Sequence, residues 1–100
     1  MNYEQTTGES IRVSFNRFHR ENPQVYDMFK QYAQVLLDTG ATKLSSKLII
    51  NRIRWEIYIE TTGSPYKIND AYTAWYARKF CRHFPQYKSY FEFRRIRATG

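Results

Sequence analysis

The chain is 100 residues long, which is the length of one domain and leaves no room for a second. A hydrophobic fraction of 42% and an aromatic fraction of 18% exclude a disordered chain and predict a single core. The formal net charge of +7, from 16 Lys and Arg against nine Asp and Glu, suits a polyanion as partner, although a positive surface without such a partner explains the total equally well.

The first nine residues are polar and predict a flexible tail, followed by one compact domain over 10–97 and a second tail at 98–100. They lack the charged patch and apolar run of a signal peptide. The apolar runs along the chain are too short for a membrane span, so no membrane association is expected. Since Cys81 is the only cysteine, no intramolecular disulfide can form, and a cytoplasmic location is expected.

The segment that begins at Ser10 allows two interpretations. Ile11, Val13 and Phe15 alternate as in a short strand, whereas Phe18 breaks the alternation and fits a helical turn over 15–18.

A first helix is predicted over 23–38. Asn22 as N-cap and Pro23 at the first helical position mark its start, and Gly40 is the expected C-terminal cap. At about 100° per residue its apolar side chains share one face, as in an amphipathic core helix. These side chains are Val25, Phe29, Tyr32, Ala33 and Leu36.

A second helix is predicted from Ser45 or Ser46, either of which can cap it, to about residue 60. It is apolar on two sides, so it is either the central helix of the domain or part of a homodimer surface. One stripe consists of Ile49, Ile50, Ile53 and Ile57, and the opposite one of Leu48, Trp55 and Ile59. Residues 55–60 also alternate, so a strand competes with the helix there.

A loop is predicted at 61–65, with the sequence TTGSP, followed by a short extended piece at 66–68. Asn69 is then expected to cap a third helix over about 69–84, which Pro85 ends. After a turn, the alternation over 91–96 predicts a strand that could pair with 66–68.

The third helix divides into two faces, and it lies in the more basic half of the chain, since residues 51–100 contain ten basic and four acidic side chains. The predicted core face consists of Thr73, Ala74, Ala77, Phe80, Cys81 and Phe84. The predicted outer face has two large aromatic residues, three cations and no acid, namely Tyr72, Trp75, Arg78, Lys79 and Arg82. A merely solvated face usually mixes Glu with Lys and does not expose Trp, so a binding surface is predicted here.

The order of elements predicts a mostly α domain with a small β element, a three-helix winged helix-turn-helix of order α-α-β-α-β. The long segment 61–68 departs from the tight turn of a simple helix-turn-helix. Base contacts on double-stranded DNA are then expected from Asn69, Tyr72, Thr73 and Trp75. Phosphate contacts are expected from Arg78, Lys79 and Arg82 on the helix and from Arg94, Arg95 and Arg97 on the strand and tail.

Two other partners fit the same helix. Tyr, Trp and Arg are also frequent in protein interfaces, so a host protein could bind this face. Exposed aromatic rings could instead stack on the bases of a single-stranded nucleic acid.

Enzyme chemistry is not predicted, since the sequence has no Gly-rich phosphate loop, nucleophile elbow or nuclease-type acidic cluster. His19 and His83 are far apart, and Cys81-Arg82-His83 lacks the spacing of a zinc site, so no metal or other cofactor is expected. Cys81 is expected to be a small buried side chain.

Several segments together resemble small, largely uncharacterised proteins encoded by bacteriophages and prophages. The resemblance covers about residues 15–95 and includes the Asn22-Pro23 start and the segments IRWE at 53–56, YKIND at 66–70, YAR at 76–78 and FEFR at 91–94. It implies a winged-helix-like DNA-binding protein with a regulatory or accessory role, acting in the cytoplasm of a bacterial host.

Overall fold

A computed structural model describes residues 8–60 and 67–91. The described ranges contain four α-helices, followed by one 3₁₀ helix. They are α1 at Gly8–Glu21, α2 at Pro23–Asp38, α3 at Ser46–Glu60, α4 at Tyr72–His83 and the 3₁₀ helix at Pro85–Tyr90.

The predicted winged helix is wrong, because residues 8–60 and 67–91 contain no β-strand. Their only β-type pairing is a single parallel bridge between Leu44 and Phe91, where the Leu44 amide donates to the Tyr90 carbonyl at 2.8 Å. Phe91 therefore pairs with the segment before α3 rather than with 66–68. The remainder of the predicted strand, at 92–96, and the predicted loop at 61–65 lie outside the described residues.

A fourth helix replaces the strand considered at 11–15. Ile11, Phe15 and Phe18 are spaced for one helical face, and Phe15 is 2% exposed where α1 meets α4. Residues 11–18 form a helix rather than a strand because Phe15 and Phe18 are three residues apart. Two such residues face the same side of a helix but opposite sides of a strand. α1 starts at Gly8, within the predicted tail at 1–9, whose first seven residues lie outside the described range.

The predicted bounds of α2 are confirmed, whereas the predicted N-cap is wrong. Pro23 is at the start of the helix, and Gly40 has a φ of 89°, a left-handed conformation that suits glycine after a helix. The Asn22 side chain does not cap α2; its Nδ2 donates to the Phe18 carbonyl at 3.1 Å and so closes the end of α1.

The prediction for α3 is also confirmed, and the competing strand at 55–60 is wrong. The Ser45 hydroxyl accepts a hydrogen bond from the Leu48 amide at 3.1 Å, which satisfies one of the open N–H groups of the first turn. The isoleucine stripe (49, 50, 53, 57) is buried, whereas Trp55 and Ile59 on the other side are 56% and 55% exposed.

The core is built around the ring of Tyr76, which is fully buried near the middle of α4. Phe15 from α1 meets it edge-on at 4.8 Å between ring centroids, and Tyr26 and Phe29 from α2 stack on it at 6.3 and 5.9 Å. Two helices, α1 and α2, therefore hold α4 in place through one aromatic cluster. None of the helices in the described ranges is long and apolar enough to cross a membrane.

Candidate nucleic-acid interface

The helix predicted at 69–84 is present, but its regular part starts at Tyr72. The Asn69 side chain accepts from the Ala71 amide at 2.8 Å and shapes the turn before the helix. Asp70 bonds Lys47 Nζ at 3.1 Å and lies 3.5 Å from Arg54, which lowers the pKa of its carboxyl, chiefly through the hydrogen bond from Lys47. Asn69, a predicted base contact, is exposed and already engaged in this turn.

The placement of Tyr72 on the outer face is wrong. Tyr72 is only 6% exposed, its hydroxyl bonds the Ser14 hydroxyl, and its ring packs on Phe15 and Phe18. The reason is α1, which covers the N-terminal half of α4 and has no counterpart in a three-helix domain. The buried face of α4 consists of Tyr72, Tyr76, Ala77, Phe80 and Cys81.

Thr73 and Trp75, two further predicted base contacts, are half-buried. The Thr73 hydroxyl oxygen is buried without a hydrogen-bond partner in the part of the chain that the structure describes. The Trp75 ring stacks on Phe15 at 6.0 Å with an interplanar angle of 26°, and the Arg78 guanidinium lies 5.3 Å from its centroid. The Trp75 side chain is therefore partly occupied by α1 and by α4 itself.

A basic groove lies between α4 and the 3₁₀ helix. It is open to solvent, has a volume of about 620 Å³ and is lined by Arg78, Cys81, Arg82, Pro85 and Lys88. We use the name basic groove for this feature. Its three cations come from two elements that are distinct along the chain.

The turn at Pro85 brings Lys88 to the two arginines. The Phe84 amide donates to the Phe80 carbonyl at the end of α4, and the Tyr87 amide donates to the Phe84 carbonyl in the first 3₁₀ turn. Tyr87 then stacks on Phe80 at 6.2 Å, which holds the 3₁₀ helix against α4. Lys88 was not among the predicted site residues, because its approach depends on this packing.

The electrostatic surroundings of the basic groove are one-sided. No acidic residue lies between Asp70 and Glu92 in the sequence. Among the described residues, no acidic residue lines the groove. Asp70, the acid that precedes α4, pairs with Lys47 and Arg54 of α3. The groove cations therefore form a local concentration of positive charge, without acidic side chains interspersed among them.

Lys79 does not line the basic groove. Its ammonium lies 5.4 Å from the ring centroid of Tyr26, on the side of α4 that meets α2. The Tyr26 hydroxyl hydrogen-bonds His83 Nδ1 at 2.6 Å, and burial raises the pKa of Tyr26 to about 12. Of the cations predicted on the outer face, Arg78 and Arg82 therefore share one site and Lys79 belongs to another contact.

The other predicted phosphate contacts, Arg94, Arg95 and Arg97, lie outside the described residues. Within the described ranges no three His, Cys, Asp or Glu side chains come together as a metal site. The prediction that Cys81 is buried is confirmed. Burial raises the pKa of its thiol, so the nucleophilic thiolate is disfavoured at this position in the lining of the basic groove.

Comparisons with protein-family models, with curated proteins and with solved structures found no match for this chain. The resemblance to phage-encoded proteins therefore stays a prediction, and the basic groove is the feature of the fold that points to a function.

Proposed function

We propose that this protein binds nucleic acid through the basic groove, with double-stranded DNA as the favoured ligand. The observation that supports the proposal is the convergence of Arg78, Arg82 and Lys88 on one open groove within an acid-free part of the sequence. Such a cluster suits the phosphate backbone, where neutralising each phosphate releases bound counterions and supplies affinity without reading sequence.

The aromatic residues of α4 favour duplex over single strand. Tyr72 and Tyr76 are buried, and Trp75 is stacked on Phe15, so few ring faces of α4 are open to an unpaired base. Contacts to the duplex backbone require cations rather than rings. A regulatory or accessory role in a bacteriophage or prophage is the setting that we propose for this activity.

A host protein is the competing partner for α4. The burial of Tyr72 removes one of its two predicted aromatic anchors, leaving the half-buried Trp75 with Arg78 beside it. Protein hot spots require a well-exposed anchor that a partner can enclose. The groove cations, of which Arg82 and Lys88 are exposed and Arg78 is half-buried, therefore favour nucleic acid over protein at this site.

The first prediction tests the basic groove by neutralising its three cations together. In the variant Arg78→Gln/Arg82→Gln/Lys88→Gln we expect duplex affinity to fall at least about tenfold. The slope of log K against log salt should flatten by up to about 3, because each lost phosphate contact removes close to one released counterion. Fluorescence anisotropy of a labelled random-sequence duplex over a salt series measures both quantities. Circular dichroism checks that the variant remains helical.

The matched control removes the same charge elsewhere. Arg17→Gln/Arg20→Gln/Lys43→Gln neutralises three exposed cations that do not line the basic groove. It should retain most of the affinity, and an equal loss in both variants would show a net-charge effect instead of a site. Tighter binding of an equally long single strand would contradict the duplex preference. Failure of the wild-type chain to bind either form would overturn the proposal.

A further inference from the structure

The outer side of α3 is an exposed stripe with regular spacing. Leu48, Trp55 and Ile59 are 57%, 56% and 55% exposed, and Arg52 lies between the first two. Positions 48, 52, 55 and 59 are separated by four, three and four residues, which is the spacing of one face of a helix that packs against another helix. We use the name α3 stripe for these four residues.

This spacing reads the same in both directions along the helix. A two-fold axis between Arg52 and Trp55 would therefore place Leu48 of one copy against Ile59 of a second copy. It would place Arg52 against Trp55 of the second copy at the same time. Such self-complementarity is what a symmetric homodimer requires, because every contact must occur twice.

A groove beside the α3 stripe provides a place for the second copy. Its volume is about 260 Å³, and it is lined by Tyr32, Val35, Leu36, Leu48, Ile49 and Arg52. Val35 on α2 is itself 51% exposed. Because Leu48 borders this groove, the antiparallel arrangement directs Ile59 of the second copy into it.

The charge at the centre of the α3 stripe is balanced. The Arg52 guanidinium lies 3.4 Å from the Glu56 carboxylate and 4.7 Å from the Trp55 ring centroid. Two copies therefore meet as two neutral pairs, even though the chain has a net charge of +7. The basic groove, by contrast, would repel its own copy. Two positively charged copies can therefore associate through α3 with less charge repulsion than through the basic groove.

The apolar area is also of the right size. Five large side chains on α2 and α3, namely Val35, Leu48, Trp55, Tyr58 and Ile59, are each slightly more than half exposed. Together they present roughly 500 Å² per copy, taking the side-chain areas usual for such residues. With a polar rim this approaches the ~800 Å² per partner of a standard stable interface. Apolar patches of this size are often functional.

We propose that the protein forms an antiparallel homodimer through the α3 stripe, with Ile59 of each copy seated in the α2–α3 groove of the other. This proposal is independent of the proposed nucleic-acid binding, since it uses different residues and a different measurement.

Sedimentation equilibrium over about two decades of concentration around the micromolar tests the dimer. We expect a monomer–dimer equilibrium for the wild type and a dissociation constant raised at least about tenfold in Ile59→Glu and in Leu48→Glu. Val13→Glu is the matched control, because Val13 on α1 is equally exposed at 56% but lies outside the stripe. A wild type that stays monomeric throughout, or a Val13→Glu variant that dissociates as readily, overturns the proposal.

Cysteine cross-linking tests the antiparallel direction. In a Cys81→Ser background, a mixture of Leu48→Cys and Ile59→Cys chains should form a disulfide-linked heterodimer on mild oxidation. Leu48→Cys alone should not form one, because its two copies would lie roughly 16 Å apart along the helices. The reverse result, with efficient linkage of Leu48→Cys to itself, overturns the antiparallel arrangement.

Discussion

His19 lies where α1, α2 and α4 meet, in contact with three aromatic rings. Its ring stacks on Phe15 at 6.1 Å and meets Tyr26 and Tyr76 edge-on at 5.6 and 6.4 Å. Its Nδ1 is buried with no hydrogen-bond partner among residues 8–60 and 67–91. Burial lowers the pKa of His19, and the Lys79 cation lowers it further, against a smaller opposing effect of Asp27.

These surroundings make folding stability depend on pH. Since the pKa of His19 is lower in the folded chain, the unfolded chain binds the proton more strongly. The stabilising contribution is complete above the unfolded value of about 6.5 and is lost as the pH falls through the folded pKa. We expect the free energy of unfolding in urea to decrease from about pH 7.5 to about pH 5.5, above the range in which ordinary carboxylates titrate. His19→Gln should flatten this dependence, and parallel pH profiles for the two proteins would contradict it.

Trp75 and Tyr72 show how one neighbour alters the role of a side chain. Both lie on the side of α4 that a helical wheel separates from Ala77 and Phe80, and α1 covers both. The wheel describes only the angle of a residue around its own helix. Which angles face solvent depends on every element that packs against that helix.

At the scale of elements, the start of α3 depends on a single hydroxyl. The Ser45 side chain accepts from the Leu48 amide, and the Ser45 carbonyl accepts from the Ile49 amide at 3.1 Å. The Arg54 side chain further joins α3 to the segment before α4 by donating to the Ile68 carbonyl at 2.6 Å. The position of α4 is thereby linked to that of α3.

Removal of the cap should weaken the fold without changing it. We expect Ser45→Ala to lower the free energy of unfolding by about 1 kcal/mol, because an amide of the first turn loses its partner. Urea denaturation followed by circular dichroism measures the change. Ser46→Ala is the control, since it changes the same residue type one position later and should stay within about 0.5 kcal/mol. Equal losses in both variants would show that Ser45 is not the cap.

At the scale of the whole molecule, one aromatic cluster unites the N-terminal and C-terminal helices. Tyr76 touches rings from α1 and α2, and Phe80 one turn later contacts Phe29 and Phe91 at 6.0 and 5.8 Å. The single bridge between Leu44 and Phe91 fixes the end of the described chain to the start of α3. Loss of this cluster should therefore affect all helices together.

Tyr76→Ala tests this dependence. Truncating a fully buried aromatic side chain is expected to cost about 3–5 kcal/mol, a large part of the about 5–15 kcal/mol typical of a domain. Thermal unfolding followed by circular dichroism should show one transition at a much lower temperature, or an unfolded chain. Val13→Ala is the control, because Val13 is 56% exposed, lies outside the aromatic cluster and the α3 stripe, and its loss should have little effect. Two separate transitions would show that the helices do not share one core.

The sequence by itself determined the three helices that are now α2, α3 and α4, because their limits depend on neighbouring residues. Pro23 starts α2, Ser45 caps α3 and Pro85 follows the end of α4, and each signal acts within one turn of the helix it delimits. The two-sided character of α3 was equally readable, since a helix of known period shows its faces without any partner.

Only the tertiary structure decided the rest, because it depends on residues far apart in the chain. The short alternation at 11–15 could not reveal that Phe15 would be buried against Tyr76, so strand and helix stayed open there and the burial of Tyr72 was not predicted. The approach of Lys88 to Arg78 and Arg82 follows from the packing of Tyr87 on Phe80. A local pattern determines a helix and its faces, whereas long-range packing determines which face stays open to a partner.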